Sequence, residues 1–113
     1  MVDKSFVPGR GHIVWMDFDR QSGHGQAGRR PALVLSPAAY NEKIGLALLC
    51  PVTSQVKGYP FEVEIPKGLS VSGVILVDQI KSLDWKSRGA EFGCDVPQEV
   101  VSLVLDKLST LLS

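Results

Sequence analysis

Several residue types in this chain could act on an anionic or polar ligand, and they fall at the ends of apolar runs. His24 and Gln26 lie in a glycine-rich stretch, and Arg29 and Arg30 follow it directly. Thr53, Ser54 and Gln55 come after a second apolar run, with Lys57 close behind; Asp78, Gln79, Lys81 and Ser82 come after a third. An arginine fork can grip two oxygens of one phosphate, which a lysine point charge cannot copy. A hydroxyl can donate to such an oxygen, and an imidazole exchanges protons near neutral pH. Amides and carboxylates distinguish donors from acceptors on a base edge. Spacing alone leaves open the plainer reading that strand ends are simply polar.

Other chemistries are poorly supported. Gly23-x-Gly25-x-x-Gly28 lacks the strand-then-helix setting of a dinucleotide fingerprint, and no glycine-rich loop ends in Lys-Ser or Lys-Thr. His12 and His24, the two histidines, are not at metal-ligand spacing, so no metal is expected. Neither Cys50 nor Cys94 forms a recognisable Cys–His pair, and Cys50, inside Leu46-Ala47-Leu48-Leu49-Cys50, is expected to be a buried reduced thiol. Twelve basic and twelve acidic residues give a net charge of +0, with a pI near 6.7. That balance argues against binding nucleic acid through bulk charge, while leaving room for a local basic cleft.

The elements that must carry these groups are short. His12–Phe18 is β-branched and aromatic, and 19–29 reads as a loop with little to bury. Pro31–Leu35 and Leu46–Val52 are continuous apolar runs, expected to be strands covered on both faces. Between them, Ser36 as N-cap with Pro37 at the first helical position predicts one short helix. Phe61–Ile65 alternates as a half-exposed strand, and Val74–Val77 is another buried run. Asp95 as cap with Gln98 three residues later opens a terminal helix, in which Val101, Val104, Leu105, Leu108, Leu111 and Leu112 recur at helical spacing. That apolar arc is expected to pack on the sheet, with part of it available to a second subunit. The 113 residues read as one domain, 1–113, mainly β with helices: a strongly bent sheet, a short helix after strand 2 and a C-terminal helix. No signal peptide or membrane-spanning run is visible, which points to a cytoplasmic protein.

Five segments in register resemble the MazF/PemK toxin family: Val14–Asp19, Gln26–Pro37, Pro51–Ser54, Lys57–Val63 and Val77–Ser82. The likeness runs from about Pro8 to the terminal helix. It implies an SH3-like barrel and a homodimeric endoribonuclease of a type II toxin–antitoxin pair. Such toxins cut single-stranded RNA, chiefly mRNA, at short motifs without a cofactor and are silenced by an acidic antitoxin lying over the RNA groove. The resemblance puts Arg30 at the family's catalytic arginine and Thr53 at its catalytic threonine. It also implies products with 2′,3′-cyclic phosphate and 5′-hydroxyl ends, because the nucleophile is the substrate's own 2′-hydroxyl. Many relatives carry Glu before the loop glutamine, where this chain has Gly25 before Gln26, and His24 is the candidate to take over proton transfer. Arg29, Lys57 and Lys81, with Lys86 and Arg88 beyond them, are candidates to line an RNA groove. Gln26, Ser36, Asp78 and Gln79 are candidate base readers. Phe18 and Trp15 are candidate stacking residues, core packing being the expectation for Trp15. Two other readings stay open: a gyrase-poisoning toxin of the same fold, although this chain ends Leu111-Leu112-Ser113 rather than Trp-Gly-Ile, and a non-catalytic SH3-like binding module.

Overall fold

The structure, a computed structural model, describes residues 5–18 and 28–113. His24, Gln26 and the expected loop around them lie outside the described residues. The elements are β1 (His12–Asp17), β2 (Arg29–Val34), α1 (Ala38–Ile44), β3 (Ala47–Thr53), β4 (Glu62–Glu64), β5 (Val74–Leu76), a 3-10 turn (Val77–Gln79), β6 (Lys81–Leu83), β7 (Glu91–Asp95) and α2 (Gln98–Leu112). The strands form one seven-stranded antiparallel sheet in the order β4-β5-β3-β2-β1-β7, with β6 also on β3.

The sheet turns at β3. One edge of β3 carries β2; the other is divided, with β6 on Ala47–Leu49 and β5 on Val52 and Thr53. Two neighbours sharing one edge must diverge, so the sheet bends into the barrel-like form the resemblance implied. Because side chains alternate along a strand, the bent strands feed two apolar clusters. Ile13, Leu33, Cys50, Val52 and Ile75 pack with Val100, Val101 and Val104 of α2. Val14, Met16, Ala32, Val34, Ala47 and Leu49 pack with Trp85 on the other side. This is why Ala32–Leu35 and Leu49–Val52 are apolar without a break: both faces of those runs are covered.

Both expected side-chain caps are replaced by other bonds. α1 and α2 begin after Pro37 and Pro97, with no capping hydrogen bond from a side chain. Asp95 instead belongs to β7 and faces His12, its carboxylate 3.4 Å from the imidazole Nε2. Ser36 is buried beside Asn41, a fully buried amide that ties several segments together. Asn41 Nδ2 donates to the carbonyls of Pro8 (2.7 Å) and Ser36 (3.1 Å), and its Oδ1 accepts from Ser36 Oγ. The Asn41 carbonyl accepts from the indole N–H of Trp85 at 2.9 Å. No helix among the described residues is long and apolar enough to cross a membrane.

Cys50 is fully buried, and that burial, helped by the Asp78 charge, pushes its thiol up to about 12. The folded protein should therefore leave Cys50 unalkylated by iodoacetamide at pH 8, with reaction appearing on unfolding; peptide mass mapping reads this directly. Between pH 9 and 12 the unfolded thiol ionises while the folded one does not, so stability falls by up to about 1.4 kcal/mol per pH unit from this group.

Candidate active site

The β2–β3 register assembles the centre. Ala32 pairs with Pro51, and Arg30 and Thr53 lie two residues outward on either strand, so the alternation sets both on that same face. Together they line a cleft of about 540 Å³ with Trp15, Pro31 and Val52 from the strands, Ser54 and Gln55 beyond β3, and Ser70, Val71 and Ser72 from the loop before β5. Thr53 Oγ1 accepts from the backbone N–H of Gln55 at 3.1 Å, which orients the hydroxyl and leaves its own proton to donate. Gly73 presses this turn into place. Its φ is +121°, and a Cβ there would fall 2.3 Å from the Thr53 carbonyl oxygen, so only glycine fits.

The two neighbouring arginines have opposite fates. Arg29 is half-buried, donates to the Gly89 carbonyl at 2.7 Å and pairs with the carboxylates of Glu91 and Asp17. It fastens β2 to β1 and β7, so the expectation that Arg29 lines an RNA groove gives way to a structural role. Arg30, one residue on, is exposed in the cleft and has no carboxylate partner among the described residues. A guanidinium so placed is available to an anionic ligand.

Several other candidates are drawn elsewhere. Ser36 is 5% exposed, its Oγ donating to Asn41 and accepting from the N–H of Leu48, so it cannot read a base. Phe18, half-buried, packs against the Trp85 cluster. Trp15, expected in the core, is 38% exposed and lines the cleft instead. Arg88 donates to the carbonyls of Asp17 and Phe18, and Lys86 sits 5.9 Å from the Trp85 ring centroid. Asp78 accepts from the hydroxyl of Tyr59 at 2.8 Å, a bond that raises the tyrosine pKa. Lys57 is exposed; its backbone N–H and that of Gly58 donate to the carboxylate of Glu62. Gln79 and Lys81 are exposed but outside the cleft: Lys81 pairs with Leu49, four residues and roughly 13 Å along the strand from Thr53. Ser70, Ser72 and Gly73 were not singled out from the sequence, although the run Gly68-Leu69-Ser70-Val71-Ser72-Gly73 carried a turn signal. Among the described residues no group of three or more His, Cys, Asp or Glu side chains converges as metal ligands would.

A bent antiparallel barrel with an arginine and a threonine facing one cleft defines a class, and comparison with known proteins agrees. The chain belongs to the family described as the PemK-like, MazF-like toxin of type II toxin–antitoxin systems, whose profile matches residues 9–112. It is 47% identical over 107 residues to the endoribonuclease toxin MazF of Escherichia coli, covering 95% of this chain and 96% of the relative. The endoribonuclease PemK of Escherichia coli is 35% identical over 109 residues, covering 92% of this chain and 81% of PemK. Among solved structures, MazF from Deinococcus radiodurans superposes with a TM-score of 0.86 at 58% identity, covering 95% of this chain and 97% of that one. A MazE–MazF complex from the same organism gives 0.85 at 54% identity, with 95% and 96% covered.

The Ser36 geometry makes a checkable claim. Ser36→Ala strands the Leu48 N–H and the Asn41 amide oxygen, so it should cost about 1–3 kcal/mol in denaturant unfolding. Any ligand or sequence preference of the cleft should be unchanged in this variant.

Proposed function

We propose that this chain is the toxin of a type II toxin–antitoxin system, an endoribonuclease that cuts single-stranded RNA and so stops translation and growth. The observation that carries the reading is Arg30, exposed and without a described carboxylate partner, sharing a cleft with a Thr53 hydroxyl that can still donate. In RNA the 2′-hydroxyl attacks the adjacent phosphorus and the 5′-oxygen leaves, giving a 2′,3′-cyclic phosphate and a 5′-hydroxyl. The protein's task is to stabilise the extra negative charge on the phosphoryl oxygens and to move two protons. Arg30 grips two of those oxygens and Thr53 donates to one. A guanidinium with a pKa above about 12 is a poor proton shuttle at neutral pH, so Arg30 serves as an electrostatic clamp rather than a base. His24 takes part in proton transfer, and Gln26 and Gln79 read base edges. Lys57 and Lys81 attract the RNA backbone outside the cleft.

Trp15 supplies the apolar wall against which an unpaired base stacks. The route needs no metal, because the nucleophile belongs to the substrate. Purified protein should therefore cleave single-stranded RNA in EDTA, with Arg30→Ala lowering kcat by about 10²-fold or more. Intact RNA after incubation with folded wild-type protein would remove the reading. His24→Ala should alter both rate and pH profile.

An acidic antitoxin segment is the natural silencer, as it would compete with RNA for Arg30; the solved MazE–MazF complex of a relative supports a partner of this kind. The protein acts in the cytoplasm, as a homodimer. A second, apolar groove supports the dimer: Leu35, Pro37, Tyr40, Leu48, Ile80 and Leu105 line it beside α2. Leu48 is 40% exposed there, and Leu48→Glu should shift the protein toward monomer in analytical ultracentrifugation.

A further inference from the structure

We infer that the β-bulge at Gly93 is a positioning device for Trp15, holding its indole as the stacking wall of the cleft; this rests on the RNA-cleaving reading. Along the β1–β7 ladder Ile13 faces Cys94, but the next residue, Val14, faces Phe92. Gly93 is the extra residue between them. A Cβ on Gly93 would lie 2.8 Å from the Ile13 carbonyl oxygen, 3.3 Å from Trp15 Cδ1 and 3.4 Å from Trp15 Nε1. The pyrrole edge of the indole therefore rests directly on the Gly93 backbone, in space that a methyl group would take.

Glycine is usually placed by a left-handed backbone, but Gly93 is not among the positive-φ glycines. What excludes a side chain here is the packing. The bulge is also secured from the cleft side, where the Ser70 hydroxyl donates to the Gly93 carbonyl at 3.1 Å. Ser70 and Trp15 both line the cleft, so one backbone unit fixes two of its walls. Bulges commonly re-aim a side chain beside a functional site. An exposed tryptophan on a strand could otherwise sample several rotamers. Seating its edge on bare backbone removes that freedom before a base arrives, which lowers the entropic cost of stacking. Gly93 thus acts on substrate binding through Trp15 and touches no reacting atom.

The test is a double-mutant cycle on a short single-stranded RNA. Trp15→Ala and Gly93→Ala should each raise KM about tenfold with kcat within about twofold, since stacking is equal in ground and transition states. In the Trp15→Ala background, Gly93→Ala should cost nothing further. Iodide quenching reports the seating itself, because Trp15 is 38% exposed and Trp85 only 6%. An uncleavable 2′-deoxy oligonucleotide should protect Trp15 from iodide in the wild type and much less in Gly93→Ala. Equal KM costs for Gly93→Ala in both backgrounds, or an unchanged KM, would overturn the inference. Should Gly93→Ala fail to fold, Ser70→Ala takes its place in the same cycle, with a KM rise of about threefold expected only when Trp15 is present. Wild-type protein that leaves RNA uncut defeats the catalytic reading, whereas cutting with an additive cycle defeats only the role of Gly93.

Discussion

The hydrogen-bond register between β2 and β3 is the constraint on which the rest of this molecule depends. With Ala32 opposite Pro51 and Leu33 opposite Cys50, Leu33 and Cys50 join the cluster under α2 while Arg30 and Thr53 meet beyond the ladder. A slip of one residue would turn every side chain of one strand to the other face. It would take Leu33 out of the cluster under α2 and turn Arg30 away from the face it shares with Thr53. Core and cleft are thus set by the same pairing, and neither can be retuned without the other. The divided outer edge of β3 adds the second requirement. Only because β5 takes over from β6 at Val52 can Gly73 reach the Thr53 carbonyl and close the cleft.

Much of this was legible in the residues. Runs covered on both faces announced β2 and β3 by their unbroken apolar character, and Phe61–Ile65 announced β4 by alternation. β7 gave no such signal, since Glu91-Phe92-Gly93-Cys94-Asp95 has a glycine at its centre and charges at both ends. Its strand character comes from pairing with β1, a tertiary cause invisible in a window of five residues. Asp95 and Ser36 were misread as caps for the same reason. Each has the right residue type two or three positions before a helix, yet each finds its partner elsewhere: His12 for one, the buried Asn41 amide for the other.

The functional residues divide along similar lines. Nothing in Arg29-Arg30 says which arginine belongs to the fold, because the acceptors that hold Arg29 come from Asp17, Gly89 and Glu91. Once β2 is a strand, however, neighbours must point apart, so one guanidinium secures the sheet while the other faces the cleft. The neutral net charge fits this economy. Positive charge at the site rests on placement rather than abundance, and Arg29 is neutralised locally so that Arg30 need not be.

The cleft draws on distant parts of the chain: Trp15 and Arg30 near the start, Thr53 in the middle, Ser70 and Ser72 later, with Gly93 behind Trp15. During synthesis the first half of the protein therefore emerges without a finished site. β5 must be made before the Thr53 edge is paired, and β7 before the Trp15 edge is, so assembly waits until both have emerged. A ribosome-bound fragment that ends after Thr53 has the Arg30 and Thr53 side chains but not the remaining walls of the cleft. The non-local pairing that makes such a barrel slow to fold therefore sets the completion of the cleft as well as that of the sheet.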